Sequence, residues 1–173
     1  MQIILINANI GGIIMSKLYV MCGVPGSGKS TFVNKTMHSD TDIHVSRDAC
    51  RFMLVKPNEE YFSKEKEVFK LFIDLIDAGL KSGCNVYADA THLNIASRNK
   101  LLNSITEKPT SIEAIVLKVP LETCLERNKL RKGLRSFVPE DTIKKMYNRF
   151  TIPTFNERFD KIHIIEERGS RYE

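Results

Sequence analysis

An α/β fold is predicted for this chain of 173 residues, with a parallel sheet of about five strands, helices on both faces and a short helical lid. Three observations carry that reading. Short apolar runs alternate with helical patterns along the chain, the order of strand–helix–strand units rather than of hairpins. A glycine-rich loop stands between the first apolar run and the first helical pattern. Two acids, Asp48 and Asp89, each follow a further strand, so they share with that loop the carboxyl rim of the sheet, where such sheets gather ligands.

Taken in order, Leu18-Tyr19-Val20-Met21-Cys22 reads as a buried strand. Gly23-Val24-Pro25-Gly26-Ser27-Gly28-Lys29-Ser30 fits G-x-x-x-x-G-K-[ST], the phosphate-binding loop or Walker A motif, and Thr31 opens the helix that follows. Strand, loop and helix in that order define the P-loop NTPase fold. Ile43-His44-Val45-Ser46 is a short strand, followed by a helix over residues 49–55 that Pro57-Asn58 breaks. Phe62, Phe69, Phe72, Ile73, Ile76 and Leu80 recur at helical spacing and predict a long helix over 59–82, with Gly83 as its cap. Residues 84–89 form the next strand, and Asn94 caps a helix running to about residue 106. Residues 111–119 are a fourth strand ended by Pro120, and residues 121–130 a helix. After a basic loop, Pro139 with Glu140 and Asp141 opens a helix whose apolar face is Ile143, Met146, Tyr147 and Phe150. Residues 162–165 make the last strand, and the polar stretch 168–173 is expected to be loose.

Residues 1–14 are apolar and uncharged, without the basic region or cleavage site of a secretory signal. They are expected to be a translated upstream leader, since Met15-Ser16-Lys17 runs directly into the first strand and the codons of Gly11-Gly12 can supply a ribosome-binding sequence. Residues 15–173 then form one domain, with no repeat or linker inside it.

The chemistry is anchored in the loop. Gly23, Pro25, Gly26, Ser27, Gly28, Lys29, Ser30 and Thr31 would cradle the phosphates of a nucleoside triphosphate, Lys29 reaching the terminal phosphates and Ser30 holding Mg²⁺. Transfer to an alcohol also needs a carboxylate to take the hydroxyl proton and positive charge over the moving phosphate. Asp48 and Asp89 are both candidates for the carboxylate, and Asp89 could instead order the metal through water. Arg51 lies one helical turn beyond Asp48 and can bind an acceptor phosphate. Arg127, Lys129, Arg131, Lys132 and Arg135 cluster around Gly133 between two helices, as a lid over the triphosphate would. The histidines at 38, 44, 92 and 163 have no metal spacing; His44 and His163 read as packing or surface residues.

Bulk properties narrow the setting. The hydrophobic content of 42% and charged content of 27% are those of a globular protein, and the net charge of +5 favours an anionic partner. No apolar stretch is long enough to span a membrane. Four cysteines without C-x-x-C spacing point to a reducing, cytoplasmic compartment rather than to zinc or disulfides.

Five segments together resemble the kinase domain of phage polynucleotide 5′-kinases, within the small P-loop kinases: residues 23–31, Ser46-Arg47-Asp48-Ala49-Cys50-Arg51, residues 63–67, Asp89-Ala90-Thr91-His92-Leu93-Asn94 with Arg98, and residues 119–139 with Arg127, Asn128 and Arg131. The resemblance runs from about Lys17 to Phe150. It implies ATP as donor, Mg²⁺, and the 5′-hydroxyl end of DNA or RNA as acceptor. It also implies roles: Asp48 as general base, Arg51 on the acceptor's adjacent phosphate, Arg131 as the lid arginine that meets ATP and stabilises the transition state, and Asp89 lining the site. The family often has Asn at the place of His92, and Thr154 to Asp160 looks more like small kinases of the group with other acceptors. The Asp-x-Asp-x-Thr motif of bifunctional relatives is not found, so kinase activity without 3′-phosphatase activity is expected. Two alternatives stand beside this one: the same reaction on a small alcohol such as a nucleoside, sugar or antibiotic, and a nucleotide-dependent switch, which would not need Asp48 and Arg51.

Overall fold

The computed structural model describes residues 15–167; the expectations for residues 1–14 and for 168–173 lie outside them. Five strands, β1 (Lys17–Cys22), β2 (Asp42–Ser46), β3 (Asn85–Asp89), β4 (Ser111–Lys118) and β5 (Lys161–Glu166), form one sheet in the order β2-β3-β1-β4-β5. Every pairing is parallel. The helices are α1 (Lys29–Thr36), α2 (Arg47–Leu54), α3 (Glu65–Lys81), α4 (Ile95–Ser104), α5 (Leu121–Lys129) and α6 (Glu140–Asn148), with a 3₁₀ turn at Phe155–Glu157. This is the α/β, P-loop architecture expected from the alternation of strands and helices.

The central strand explains the two-sided core. On β1, Leu18, Val20 and Cys22 face a cluster built from Val68, Phe72, Ile73, Ile76 and Leu80 of α3 and Leu101 and Leu102 of α4. Met21 on the opposite face joins Val24, Val33, Tyr87, Ile115, Leu117 and Cys124. A strand covered on both sides must be apolar at successive positions, which is why its sequence reads as an unbroken run. The cysteines at 22, 50, 84 and 124 are all free thiols.

Two helices are shorter than their periodicity suggests. The long helix begins at Glu65 rather than at 59, and Phe62 lies outside it and exposed. Lys64 Nζ donates to Leu54 O and to both Glu59 carboxylate oxygens, which ties residues 56–64 into turns before the helix starts. The helix capped by Asn94 stops at Ser104, because the Thr106 N–H and hydroxyl donate to the Asp77 carboxylate instead of continuing the ladder.

One ion pair knits the far side of the sheet. Arg98, fully buried on α4, donates from Nε and Nη2 to the Glu157 carboxylate at 2.6 and 3.0 Å. Its Nη1 donates to His92 O and Thr151 O. The loop after β3, the segment after α6 and the 3₁₀ turn therefore share one guanidinium. His92, buried at a φ of 40°, donates from Nδ1 to Met21 O at 2.7 Å, and burial lowers its pKa to about 4. It is a neutral backbone anchor.

Removing one partner of a buried pair strands the other, so Glu157→Gln is expected to cost about 3–5 kcal/mol in urea unfolding at neutral pH. Burial pushes the Glu157 carboxyl up, but Arg98 and the Thr154 N–H outweigh it and hold it below its usual value. The pair's contribution is therefore fully present above the unfolded carboxyl pKa of about 4.3 and lost as pH falls through the folded value. Unfolding midpoints measured on the acid side should show a shallower loss for Glu157→Gln than for wild type.

Candidate active site

The carboxyl ends of β1, β2 and β3 are level, since Met21 pairs with Asp89 and Asp89 with Ser46. The loop from Gly23 to Gly28 leaves β1 at this rim and enters α1. Gly28, at a φ of 91°, precedes α1 without any side-chain cap, and the helical ladder starts with Phe32 N–H to Gly28 O at 2.9 Å. The N–H groups of Lys29, Ser30 and Thr31 lie ahead of that first bond, the arrangement that binds an anion at a helix N-terminus. Lys29 is buried, and its Nζ donates to Gly23 O at 2.9 Å and Val24 O at 3.0 Å. Burial lowers its pKa, and the charges of Asp89 and Asp48 oppose that shift.

Asp89 is 5% exposed and sits across from the start of α1. The Ser30 hydroxyl donates to its Oδ2 at 2.6 Å, and His44 Nε2 donates to the same oxygen at 3.0 Å. Burial pushes the Asp89 carboxyl up, but His44, Lys29 and Ser30 outweigh it and keep the group below its usual pKa. A hydroxyl and an ionised carboxylate in contact beside uncapped N–H groups and a buried ammonium suit a triphosphate with a divalent cation: Ser30 and Asp89 supply hard oxygen donors, and the helix start and Lys29 supply positive charge.

The acceptor candidates are on α2. The Ser46 hydroxyl accepts from Ala49 N–H and caps this helix, placing Asp48 in its first turn. Asp48, with a side chain 56% exposed, accepts at Oδ1 from Arg51 Nη1 and from the Tyr61 hydroxyl. Arg51 is buried behind it, donating from Nε to Glu65 Oε1 at 2.8 Å. Burial would lower the Arg51 pKa, but Glu65 and Tyr61 raise it above its ordinary value.

The basic segment follows α5. Helix α5 packs directly on the loop, so that a β-carbon at Gly26 would overlap the Cys124 carbonyl. The Arg127 guanidinium lies 3.7 Å from the place of a β-carbon at Gly28, and its Nη2 donates to Glu167 Oε1 at 2.6 Å. Asn128, buried, closes residues 129–137 into a loop by donating from Nδ2 to Val138 O and accepting from Val138 N–H. Arg135 Nη2 reaches back to Val55 O at the end of α2. Among the described residues, no hydrogen bond or ion pair joins the Arg131 side chain to the loop; the guanidinium placed against it is that of Arg127.

The structure thus brings together Lys29, Ser30, Asp89, Asp48 and Arg51 on one rim. Sequence reasoning missed His44, read as packing or surface. The available signal was register: His44 lies two positions before Ser46, which pairs with Asp89, so the imidazole is a diagonal neighbour on the same sheet face. It also missed Tyr61 and Glu65, which were read as parts of one long helix.

The family model of the AAA domain matches residues 18–153. The chain belongs to that family. A protein of Autographa californica nuclear polyhedrosis virus described as a bifunctional polynucleotide kinase/RNA ligase is 33% identical to this AAA-domain chain, the match covering 78% of this chain and 21% of the relative. One from Acanthamoeba polyphaga mimivirus, described as a bifunctional polynucleotide phosphatase/kinase, is 28% identical over 86% of this chain and 33% of the relative. The chain therefore spans about a fifth and a third of these two relatives' lengths. A chain in the solved structure of the Pnkp1/Rnl/Hen1 RNA repair complex superposes with a TM-score of 0.67 at 29% identity, covering 88% of this chain and 49% of that one.

The contact between α5 and the loop sets a test. Gly26→Ala forces a β-carbon into backbone at a positive φ of 84° and should shift α5. It is expected to cost about 1–3 kcal/mol in thermal unfolding and to weaken binding of a fluorescent ATP analogue at least tenfold. Gly133, at a φ of 87° but with open space around it, provides the control: Gly133→Ala should add backbone strain alone and leave the analogue's affinity within about twofold of wild type.

Proposed function

We propose that this AAA-domain chain is an ATP- and Mg²⁺-dependent polynucleotide 5′-hydroxyl kinase of the phage type. The observation that carries the reading is the second half of the site. Asp48 stands on the same rim as the phosphate loop, clamped by Arg51 and Tyr61, and a nucleotide switch has no use for such a group. The curated relatives are described as polynucleotide kinases joined to a ligase or a phosphatase, which supports the same acceptor.

In this reading the loop and Lys29 hold the triphosphate and Arg51 binds the phosphate next to the acceptor hydroxyl. Asp48 takes the hydroxyl proton as the 5′-oxygen bonds to the γ-phosphorus and the bond from that phosphorus to the bridging β-phosphate oxygen breaks, giving a 5′-phosphorylated end and ADP. Ser30 and Asp89 would hold a divalent cation, which would neutralise charge on the phosphates. Arg127, beside Gly28, orients the donor, and Arg131 closes from the lid onto the moving phosphate.

The test is transfer of the terminal phosphate of labelled ATP to 5′-hydroxyl DNA and RNA oligonucleotides. Transfer is expected, with Asp48→Asn lowering kcat by roughly 10²- to 10⁴-fold. Label appearing only on a nucleoside, sugar or antibiotic would replace the acceptor, and label appearing only as inorganic phosphate would make the chain an NTPase. Arg131→Ala should lower kcat by roughly 10³-fold, whereas a change below about threefold would make it a surface residue.

A further inference from the structure

Helix α2 and its connection to α3 carry three rings, of which the catalytic reading uses only the hydroxyl of one. Phe52, Tyr61 and Phe62 form a continuous row: Phe52 and Tyr61 centroids are 6.2 Å apart, and Tyr61 and Phe62 meet edge to face at 4.9 Å. Guanidinium planes are interleaved with them. Arg135 Cζ lies 5.1 Å over Phe52, and Arg51 Cζ lies 4.7 Å from Tyr61 and 5.2 Å from Phe62. The row starts at Asp48, to which the Tyr61 hydroxyl donates.

These rings are not core. Phe62 is 60% exposed and Phe52 42%, and neither packs into the two apolar clusters. The guanidinium contacts leave much of both rings in water beside a charged site, and exposed aromatic surface of that kind suits a ligand. The charge around them selects its class. Arg135 donates only to the carbonyls of Val55 and Lys56, with no carboxylate partner among the described residues, and Lys56 and Lys132 add exposed positive charge nearby in the chain. Ring faces alternating with guanidinium planes bind nucleobases whose phosphodiesters the cations meet, and they do so without reading base identity, because every base has a π-face. Duplex bases are already stacked on each other and cannot offer their faces to such a row.

We propose that Phe52, Tyr61 and Phe62 are a stacking platform for the nucleotides that follow the reacting 5′ end, making the preferred acceptor a single-stranded end of any sequence; this rests on the polynucleotide reading of the Asp48 site. Strands engage the platform by their bases and Arg135 by their backbone, while the terminal hydroxyl lies at Asp48. A single nucleotide reaches Asp48, Arg51 and the Tyr61 hydroxyl but does not span the row to Phe52.

The experiment measures fluorescence anisotropy of the full chain with single-stranded 5′-hydroxyl DNA and RNA of about twelve nucleotides, with the same strands made abasic after the first nucleotide, and with a blunt duplex. Phosphate transfer to the strands and to nucleoside 3′-phosphates is followed in parallel. Tyr61 is left intact because it touches Asp48; the exposed Phe52 and Phe62 are changed, and circular dichroism melts confirm that the variants fold. The Phe52→Ala/Phe62→Ala double variant should raise Kd and KM for intact strands roughly tenfold or more, and Phe62→Trp should retain affinity. Abasic strands and the duplex should bind wild type about as weakly as intact strands bind the double variant. KM for nucleoside 3′-phosphates should rise far less in the double variant than KM for strands. Intact, abasic and duplex acceptors binding alike would overturn the platform, as would a double variant that binds strands like wild type or changes only the oligomeric state, which would assign the rings to a protein contact. The two readings fail separately: ring-dependent strand binding without transfer to any 5′-hydroxyl overturns the kinase and keeps the platform, and ring-independent transfer does the reverse.

Discussion

The buried carboxylate of Asp89 is the interaction on which the arrangement of the rim depends. Burying an unpaired carboxylate costs several kcal/mol, so this one is tolerated only with partners from other segments. Ser30 at the start of α1 and His44 on the edge strand β2 both donate to the same oxygen, and the Lys29 charge lies close enough to favour the ionised form. Three pieces of chain distant in sequence are thereby fixed against one atom. Register makes this possible. Asp89 lies level with Met21 on one side and Ser46 on the other, and a slip of one residue would turn it to the opposite face of the sheet and leave Ser30 and His44 without it.

A second constraint links the loop to the basic segment. Because α5 touches Gly26 at the backbone of Cys124, and Arg127 on the same helix reaches Gly28, α5 cannot shift without disturbing the phosphate loop. From there the chain runs through the Asn128–Val138 clasp to Arg135, which is fastened to the end of α2 at Val55 O. The segment 130–137 is thus tied at one end, through α5, to the glycine-rich loop and at the other to the end of α2.

Most of the fold could be read from residues because its cues are local. The run Leu18 to Cys22, the glycine-rich loop and Asn94 each specify their own element, and the capping box at Asn94 and Ser97 forms as that reading requires. What escaped was set by side-chain partners that periodicity does not register, some of them far along the chain. Phe62 sits seven residues before Phe69, a helical spacing, yet Lys64 folds back on Leu54 and Glu59 and the helix starts only at Glu65. His44 looked like any strand residue because its meaning comes from Asp89, forty-five positions later, on the next strand in sequence and its neighbour in the sheet. In the same way the choice among Arg127, Arg131 and Arg135 depends on where α5 lands on the loop, which no periodicity encodes.

Asp48 shows how an exposed group can still be held with precision. More than half of its side chain meets solvent, and an aspartate in the first turn of a short helix would ordinarily sample several rotamers. Its orientation is fixed from behind. Arg51, one turn on and almost fully buried, grips Oδ1, and Glu65 from α3 grips Arg51 in turn. Tyr61 completes the brace, its hydroxyl on the carboxylate and its ring under the guanidinium. The rigidity of the site is therefore located in the packing of α2 on α3, beneath the surface, and the carboxylate presents its free oxygen outward. That division sets a buried clamp beneath an open face, and the residues that border the opening are flat rings and cations.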